Sequence, residues 1–356
     1  MFAVSPTLAG VMVARGITPE TAGDILDPTL KRLLPEPFTL REMEKAVARV
    51  ELALNAHEKI AVFGDYDVDG SASAALLIDF LSGLGRPPRL YIPDRLTEGY
   101  GPSPAAMRLL RDEGAALVIT VDCGAAATEA LEAACDAGLD VIVLDHHSVG
   151  ERPPAHAHVN PNGPGETAGL GHLCAAGVVF LFLVALNRRL RESGFYGDRA
   201  EPDLRRSLDL VGLATVCDVV PLEGVNRAFV RQGLPRIATR RGLAALATIA
   251  AAKPPFTAYH LGYILGPRIN AGGRVGRCSL GAELLSCTDP ALADDLAARL
   301  DRHNRERQAI EAIILEEAEA LAAASDNAPF VLVAGEGWHA GVVGIVAARL
   351  RERFGK

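Results

Sequence analysis

The chain has 356 residues and a mass of 37.5 kDa, a length that predicts two or three domains and excludes a fibre or a peptide hormone. With 49% hydrophobic and 22% charged residues the composition is ordinary for a globular protein and excludes disorder as the main theme. The net charge of −8 is unevenly spread: residues 1–225 carry −12, residues 226–307 carry +7 and residues 308–356 carry −3. This fits either scattered solvated charge or an acidic metal site beside a groove for a polyanion.

The start, MFAVSPTLAG, lacks the basic region and apolar core of a secretory signal, so a cytoplasmic protein is expected. The longest apolar stretch, Ala175 to Leu186, stops at Asn187, short of the roughly 20 residues that span a bilayer. It reads as a buried core helix, with no membrane role. Six cysteines without a C-x-x-C pair argue against a structural zinc site and a disulfide framework, and reduced thiols are expected.

Residues 1–50 read as a helical segment, with Thr18-Pro19-Glu20 as a helix start and LREMEKAVARVELALNA as a second helix. From residue 59 short β-rich runs alternate with helical stretches: KIAVFG (59–64), RLYIP (89–93), ALVITVD (116–122) and DVIVLD (140–145). The intervening stretches have helical apolar spacing and end in Gly, which predicts βαβ units. The fold class is therefore α/β, a doubly wound and mainly parallel sheet, with ligands expected beyond the carboxyl ends of its strands. This catalytic unit is set at residues 51–225. The Pro/Gly/His-rich stretch 149–172 reads as a loop, and ATVCDVVPL (214–222) as an apolar, strand-like interruption of a helical region.

A helical, Arg-rich connector is assigned to residues 226–325, where Arg227, Arg231, Arg236, Arg240 and Arg241 read at least as well as a solvated face as a nucleic-acid grip. Residues 326–356 read as one strand, a turn and one helix. A lone strand has no ladder partner, so this piece is expected to be the beginning of a second α/β domain that the chain does not complete.

Chemistry concentrates at the predicted strand ends. Asp65, Asp67 and Asp69 alternate directly after the first strand. A calcium loop of the D-x-D-x-D-G type is excluded because its twelfth position is Leu76, and no G-x-G-x-x-G or P-loop pattern is present. Asp122 ends the next long strand, Asp145-His146-His147 follows the one after, and Asp218 interrupts an apolar run. Buried carboxylates need partners, and oxygen-rich ligands with an imidazole suit Mn²⁺ or Mg²⁺ better than Zn²⁺. Two such ions can activate water and steady the leaving oxygen of a phosphoryl group, so the residues point to metal-dependent phosphoester hydrolysis.

GDYDVDG, VDCG, VLDHH and TVCDVVPL, in this order, resemble the four motifs of the DHH phosphoesterase superfamily. The flanking ARGITPETAGDILDP, IPDRLTEGYG, HVNPN, PLEGVNR and GPRINAGGRVG are similar to those of its single-strand-specific 5′→3′ DNA exonucleases, and the resemblance covers nearly the whole chain. It implies metal ligation by Asp67, Asp69, Asp122, His146 and Asp218, with Asp65 in or beside the ligand set and Asp145 orienting His146. It implies that His147 hydrogen-bonds the scissile phosphate, with metal-activated water as nucleophile and two ions, Mn²⁺ or Mg²⁺, as cofactors.

Arg95, Arg268, Asn270, Arg274 and Arg277 match positions near the DNA path, and His339 is expected to meet phosphate at a helix start. The implied substrate is single-stranded DNA, cut to mononucleotides in DNA repair and recombination by a monomer that a single-strand-binding protein or a helicase could assist. Complete members continue with the rest of a DHH-associated domain and an OB-fold, so a truncated chain with a complete metal site and a reduced DNA grip is expected. An oligoribonuclease or small-nucleotide phosphodiesterase would use the same metals. A non-catalytic scaffold is disfavoured because every expected Asp and His is present.

Overall fold

The structure is a computed structural model that describes residues 4–324 and 329–356. Three short helices open the chain, α1 (Pro6–Ala14), α2 (Ala22–Leu26) and α3 (Leu30–Leu33). The helix expected at Thr18 starts four residues later. The reason is local: the Thr21 hydroxyl accepts from the Thr18 N–H at 3.1 Å and holds these residues in a turn. In α4 (Met43–Asn55) the buried residues Met43, Ala46, Val47, Val50 and Leu54 recur at helical spacing and form one face.

Five strands follow: β1 (Ile60–Gly64), β2 (Arg89–Tyr91), β3 (Leu117–Val121), β4 (Asp140–Leu144) and β5 (Ala157–Val159). They form one sheet of order β2-β1-β3-β4-β5 in which every pairing is parallel. Side chains alternate across it. Ile60, Val62, Ile119 and Leu144 enter the core with α4, α5 (Val68–Gly83) and α8 (Ala175–Glu192). Ala61, Phe63, Val118 and Val143 enter a second core with α6 (Pro104–Asp112) and α7 (Thr128–Asp136). The doubly wound parallel sheet expected from the sequence is present. The stretch 149–172 is not all loop, because Ala157–Val159 pairs with Ile142–Leu144 as an edge strand.

Beyond the sheet lie α9 (Leu208–Cys217), α10 (Gly224–Gly233), α11 (Arg241–Ile249), a π-helical turn (His260–Leu265), α12 (Gly266–Val275), α13 (Leu280–Ser286), α14 (Pro290–Ala324) and α15 (Ala340–Phe354). The strand-like reading of 214–222 is overturned. Residues Leu208–Thr215 are buried on every side, and a helix without a polar face is a solution to complete burial as good as a strand. At the C-terminal end the expected helix forms and packs Val342, Val346 and Leu350 on Ile314, Ala318 and Ala322 of α14. Residues 331–335 pair with no strand among the described residues. The expected boundary at 325/326 lies outside the described residues.

Candidate metal centre

In this strand order the chain leaves β1 for β2 on one side, while β3 pairs on the other, so a crevice opens past the carboxyl ends of β1 and β3. Gly64 ends β1, and the next residues turn directly into α5. Asp67 is its N-cap, with Oδ1 accepting from the Gly70 N–H at 3.0 Å. A Cβ on Gly70 would stand 2.6 Å from the Asp65 carbonyl oxygen, so only glycine allows the loop to close this tightly. Asp122 follows β3 in a left-handed conformation, φ 60°, while the Tyr100 hydroxyl donates to its carbonyl at 3.0 Å. Asp145, His146 and His147 follow β4, and Asp218 is the C-cap of α9.

These elements converge. His146 Nε2 lies 3.4 Å from Asp122 Oδ1 and 3.8 Å from both Asp69 Oδ2 and Asp218 Oδ2. Ligand atoms fall into three groups within 4.8 Å: Asp65, Asp67 and Asp122; Asp69, His146 and Asp218; Asp122, His146 and His147. Asp122 belongs to two of them. His146 Nε2 and Asp65 Oδ1 are buried without a hydrogen-bond partner among the described residues. Buried polar atoms are rarely left so, and this donor set of carboxylate oxygens and one imidazole nitrogen fits hard divalent cations.

The electrostatics agree. Burial, then the charge of Asp67, pushes Asp65 up to about 7, and the same two causes push Asp218 up to about 6. Asp69 and Asp122, both fully buried among carboxylates, rise well above the ordinary carboxylate range. Burial and the neighbouring His147 lower His146, which favours the neutral ring that binds metals.

Contrary to the expectation from the sequence, Asp145 does not orient the His146 ring. Its Oδ1 accepts from His147 Nδ1 at 2.8 Å and from the His146 backbone N–H at 2.7 Å, and Oδ2 accepts from the Ala125 N–H at 3.0 Å. The reason is chain direction: the Asp145 carboxylate folds back over its own following residues, and the His146 ring bonds the Leu173 backbone instead. Burial opposes ionisation of Asp145, but the bonds from His147 outweigh it and hold the carboxyl below its usual range. The hydrogen bond to Asp145 raises His147 in turn.

The expected arginines divide. The Arg95 guanidinium lies 5.3 Å over the Tyr66 ring, beside the Asp65–Asp69 loop. Arg274 donates Nη1 to the Gly341 carbonyl at 2.9 Å, and burial, then Arg95 and Arg307, lower its pKa. Arg95 and Arg274 thus lie beside the acidic loop, while Arg307, near Arg274, is paired with Glu311 and Asn304. Arg268 is instead committed to Asp301 at 2.9 Å and to the Ile264 carbonyl, and Arg277 to Glu283. In both cases a carboxylate of the fold already occupies the fork. Asn270 Oδ1 accepts from the Val68 N–H at 2.9 Å, so it holds the metal loop rather than facing outward alone. It also lines a cavity of about 320 Å³ with Tyr263, Arg274, Arg307 and Arg349. His339 caps α15, its Nδ1 accepting from the Gly341 N–H at 3.1 Å.

Several supports escaped the sequence reading. Asp69 accepts from the Ala175 and Ala176 N–H groups at 2.6 and 2.8 Å, capping α8 from a distance. The signal was that Cys174, the N-cap, has no side chain suited to the task. Asn162 and Asn160 donate to the His146 and His147 carbonyls at 2.7 and 2.8 Å, which gives the HVNPN motif a physical role. His158 is buried with both ring nitrogens unpartnered among the described residues, and burial lowers its pKa.

A parallel sheet of this order carries an Asp/His cluster at its switch point, the class of metal-binding α/β core expected from the motifs. Residues 59–215 match the DHH family, N-terminal domain. The single-stranded-DNA-specific exonuclease RecJ of Dickeya dadantii is 41% identical over 344 residues, 92% of this chain and 59% of that protein. RecJ of Bacillus subtilis is 35% identical, over 99% of this chain and 44% of that protein. A crystal structure of exonuclease RecJ bound to manganese superposes with a TM-score of 0.78 and 35% identity, over 88% of this chain and 78% of that one. RecJ from Thermus thermophilus in complex with Mn²⁺ gives 0.81 and 33%, over 98% of this chain and 49% of that one. The chain belongs to the DHH family, within which it is similar to the RecJ proteins. It spans less than two thirds of the length of the two curated relatives named.

Proposed function

We propose that the chain hydrolyses phosphodiester bonds of single-stranded DNA from the 5′ end, releasing mononucleotides, with two Mn²⁺ or Mg²⁺ ions. The observation that carries this is the buried, unpartnered His146 Nε2 aimed at Asp69, Asp122 and Asp218. Asp65, Asp67 and Asp122 would hold one ion, and Asp69, His146 and Asp218 the other. Bound divalent ions supply positive charge that activates water and offsets charge developing on the phosphate.

The protein supplies the rest. Asp145 fixes the His147 ring through Nδ1 and favours its charged form, so the remaining ring N–H can donate to a phosphate oxygen. His147 is half-exposed, which leaves room for that oxygen. Arg95 and Arg274 offer guanidinium forks to the flanking phosphates. Asn270, Asn160 and Asn162 keep the ligand loops in place. Similarity to the RecJ exonucleases supports single-stranded DNA as substrate. No helix among the described residues is long and apolar enough to cross a membrane, which is compatible with work in the cytoplasm, where a single-strand-binding protein or helicase would present the strand.

The test is hydrolysis of a single-stranded oligonucleotide in Mn²⁺ by the native chain and by His146→Ala. Metal-dependent release of mononucleotides that the variant loses is expected. Equal activity in the variant would overturn the assignment of the centre.

A further inference from the structure

A large cleft lies at the other end of α5, away from the metal centre. Its volume is about 1060 Å³, and residues Ile78, Asp79, Ser82 and Gly83 of α5 form one wall. The metal loop, Asp65–Asp69, runs into the start of α5 at Val68, and the 16 residues of α5 put the two ends of the helix about 24 Å apart. Four arginines line the cleft, Arg206, Arg236, Arg240 and Arg241, against two carboxylates, Asp79 and Asp209.

Arg240 consumes both carboxylates. It donates Nη1 to Asp79 at 2.9 Å and Nε to Asp209 at 2.5 Å, and a second Nη1 contact goes to the Leu285 carbonyl at 2.8 Å. Arg236 gives Nη1 to the Gln232 carbonyl and meets no carboxylate among the described residues. Arg206 and Arg241 are exposed and form no salt bridge among the described residues. Asp203, three residues before Arg206, is paired with Arg205.

Three guanidiniums therefore share one concave surface without a carboxylate partner of their own among the described residues, and the four arginines outweigh the two carboxylates. Arg241 is also the first residue of α11, whose N-cap supplies no side-chain acceptor. A cation at a helix N-terminus opposes the helix dipole, so this arrangement is stable only with an anion nearby or at a cost in repulsion. Ser82 and Thr288 add hydroxyls at the rim. Planar forks with hydroxyl donors in an open cleft suit phosphate oxygens.

We propose that this cleft is a second phosphate-binding site, separate from the metal centre, which takes the phosphates of a nucleic-acid strand or of a nucleotide. It stands on the residues of the cleft and does not depend on the reading of the metal centre.

The test measures binding by the full chain in EDTA, so that nothing is hydrolysed. The probes are a fluorescent oligothymidylate and, separately, inorganic pyrophosphate. For a strand-binding site, R206A/R241A weakens the oligonucleotide about tenfold and reduces the salt slope by about 1.4, since each lost single-strand phosphate contact removes ~0.7. R206K/R241K restores most of the affinity, and R15A/R108A, which removes two exposed arginines elsewhere, leaves it unchanged. Loss of pyrophosphate binding with oligonucleotide binding intact would assign the cleft to a small phosphate ligand. Unchanged binding of both probes would overturn the proposal. Dinucleotide hydrolysis in Mn²⁺, measured in parallel, reads the metal centre alone and is expected to be equal in all four proteins.

Discussion

His147 Nδ1 donates to Asp145 Oδ1 at 2.8 Å, and Asp145 is otherwise occupied by the backbone N–H groups of its own turn and of Ala125. The carboxylate therefore both shapes the turn and sets the charge of a half-exposed ring. Asp145→Asn keeps the side-chain volume, removes the charge and replaces one of the two accepting oxygens with an amide donor. Hydrolysis of a dinucleotide should fall about 10- to 100-fold, the usual cost of losing a group that orients a site residue, while Mn²⁺ affinity changes less. Unaltered kcat would show that His147 does not need its partner.

Metal removal should make stability depend on pH with a definite sign. Asp65 and Asp218 are raised to about 7 and about 6 from an ordinary 3.8, and Asp69 and Asp122 are raised too. Between pH ~4 and ~7 the metal-free folded state then binds more protons than the unfolded chain, so its stability falls as pH rises through this window. In EDTA the Tm should drop across the same window, and Mn²⁺ should raise it and flatten the slope. A Tm that climbs with pH in EDTA would contradict the clustering of these carboxylates.

Asn270→Ala removes the acceptor of the Val68 N–H at the start of α5. A lost cap costs about 1 kcal/mol, and the loosened loop should weaken Mn²⁺ binding by roughly tenfold. A variant with normal Mn²⁺ titration and weakened DNA binding would instead make Asn270 a DNA contact.

Gly70→Ala would push a methyl group to 2.6 Å from the Asp65 carbonyl, which is backbone and cannot rotate away. Overpacking of this kind costs about 1–3 kcal/mol and should displace Asp65 and Asp67 together. The far-ultraviolet circular dichroism should be retained while Mn²⁺ binding is lost. Normal Mn²⁺ affinity would mean that the loop tolerates a wider turn.

The sheet and its ligand loops were legible because they rest on local signals. Apolar runs of strand length, helical spacing between them and acidic residues at strand ends all follow from sequence period and charge. Asp218 was placed on the wrong element: ATVCDVV is as apolar as a strand, and complete burial of α9 erases the amphipathic pattern that separates helix from strand. The partners of Asp69 and Asn270 were not legible, because their contacts join residues 106 and 202 positions apart. Arg268 shows the same limit. Its sequence context suggested phosphate, and the buried Asp301 that claims it lies on a later helix.

The most direct test of the central claim is digestion of an internally labelled single-stranded oligonucleotide, with the 5′ and 3′ ends blocked in turn, in Mn²⁺ and in EDTA. The account predicts mononucleotides released only with Mn²⁺ and only when the 5′ end is free. Cleavage that continues in EDTA, or that ignores a blocked 5′ end, would contradict it.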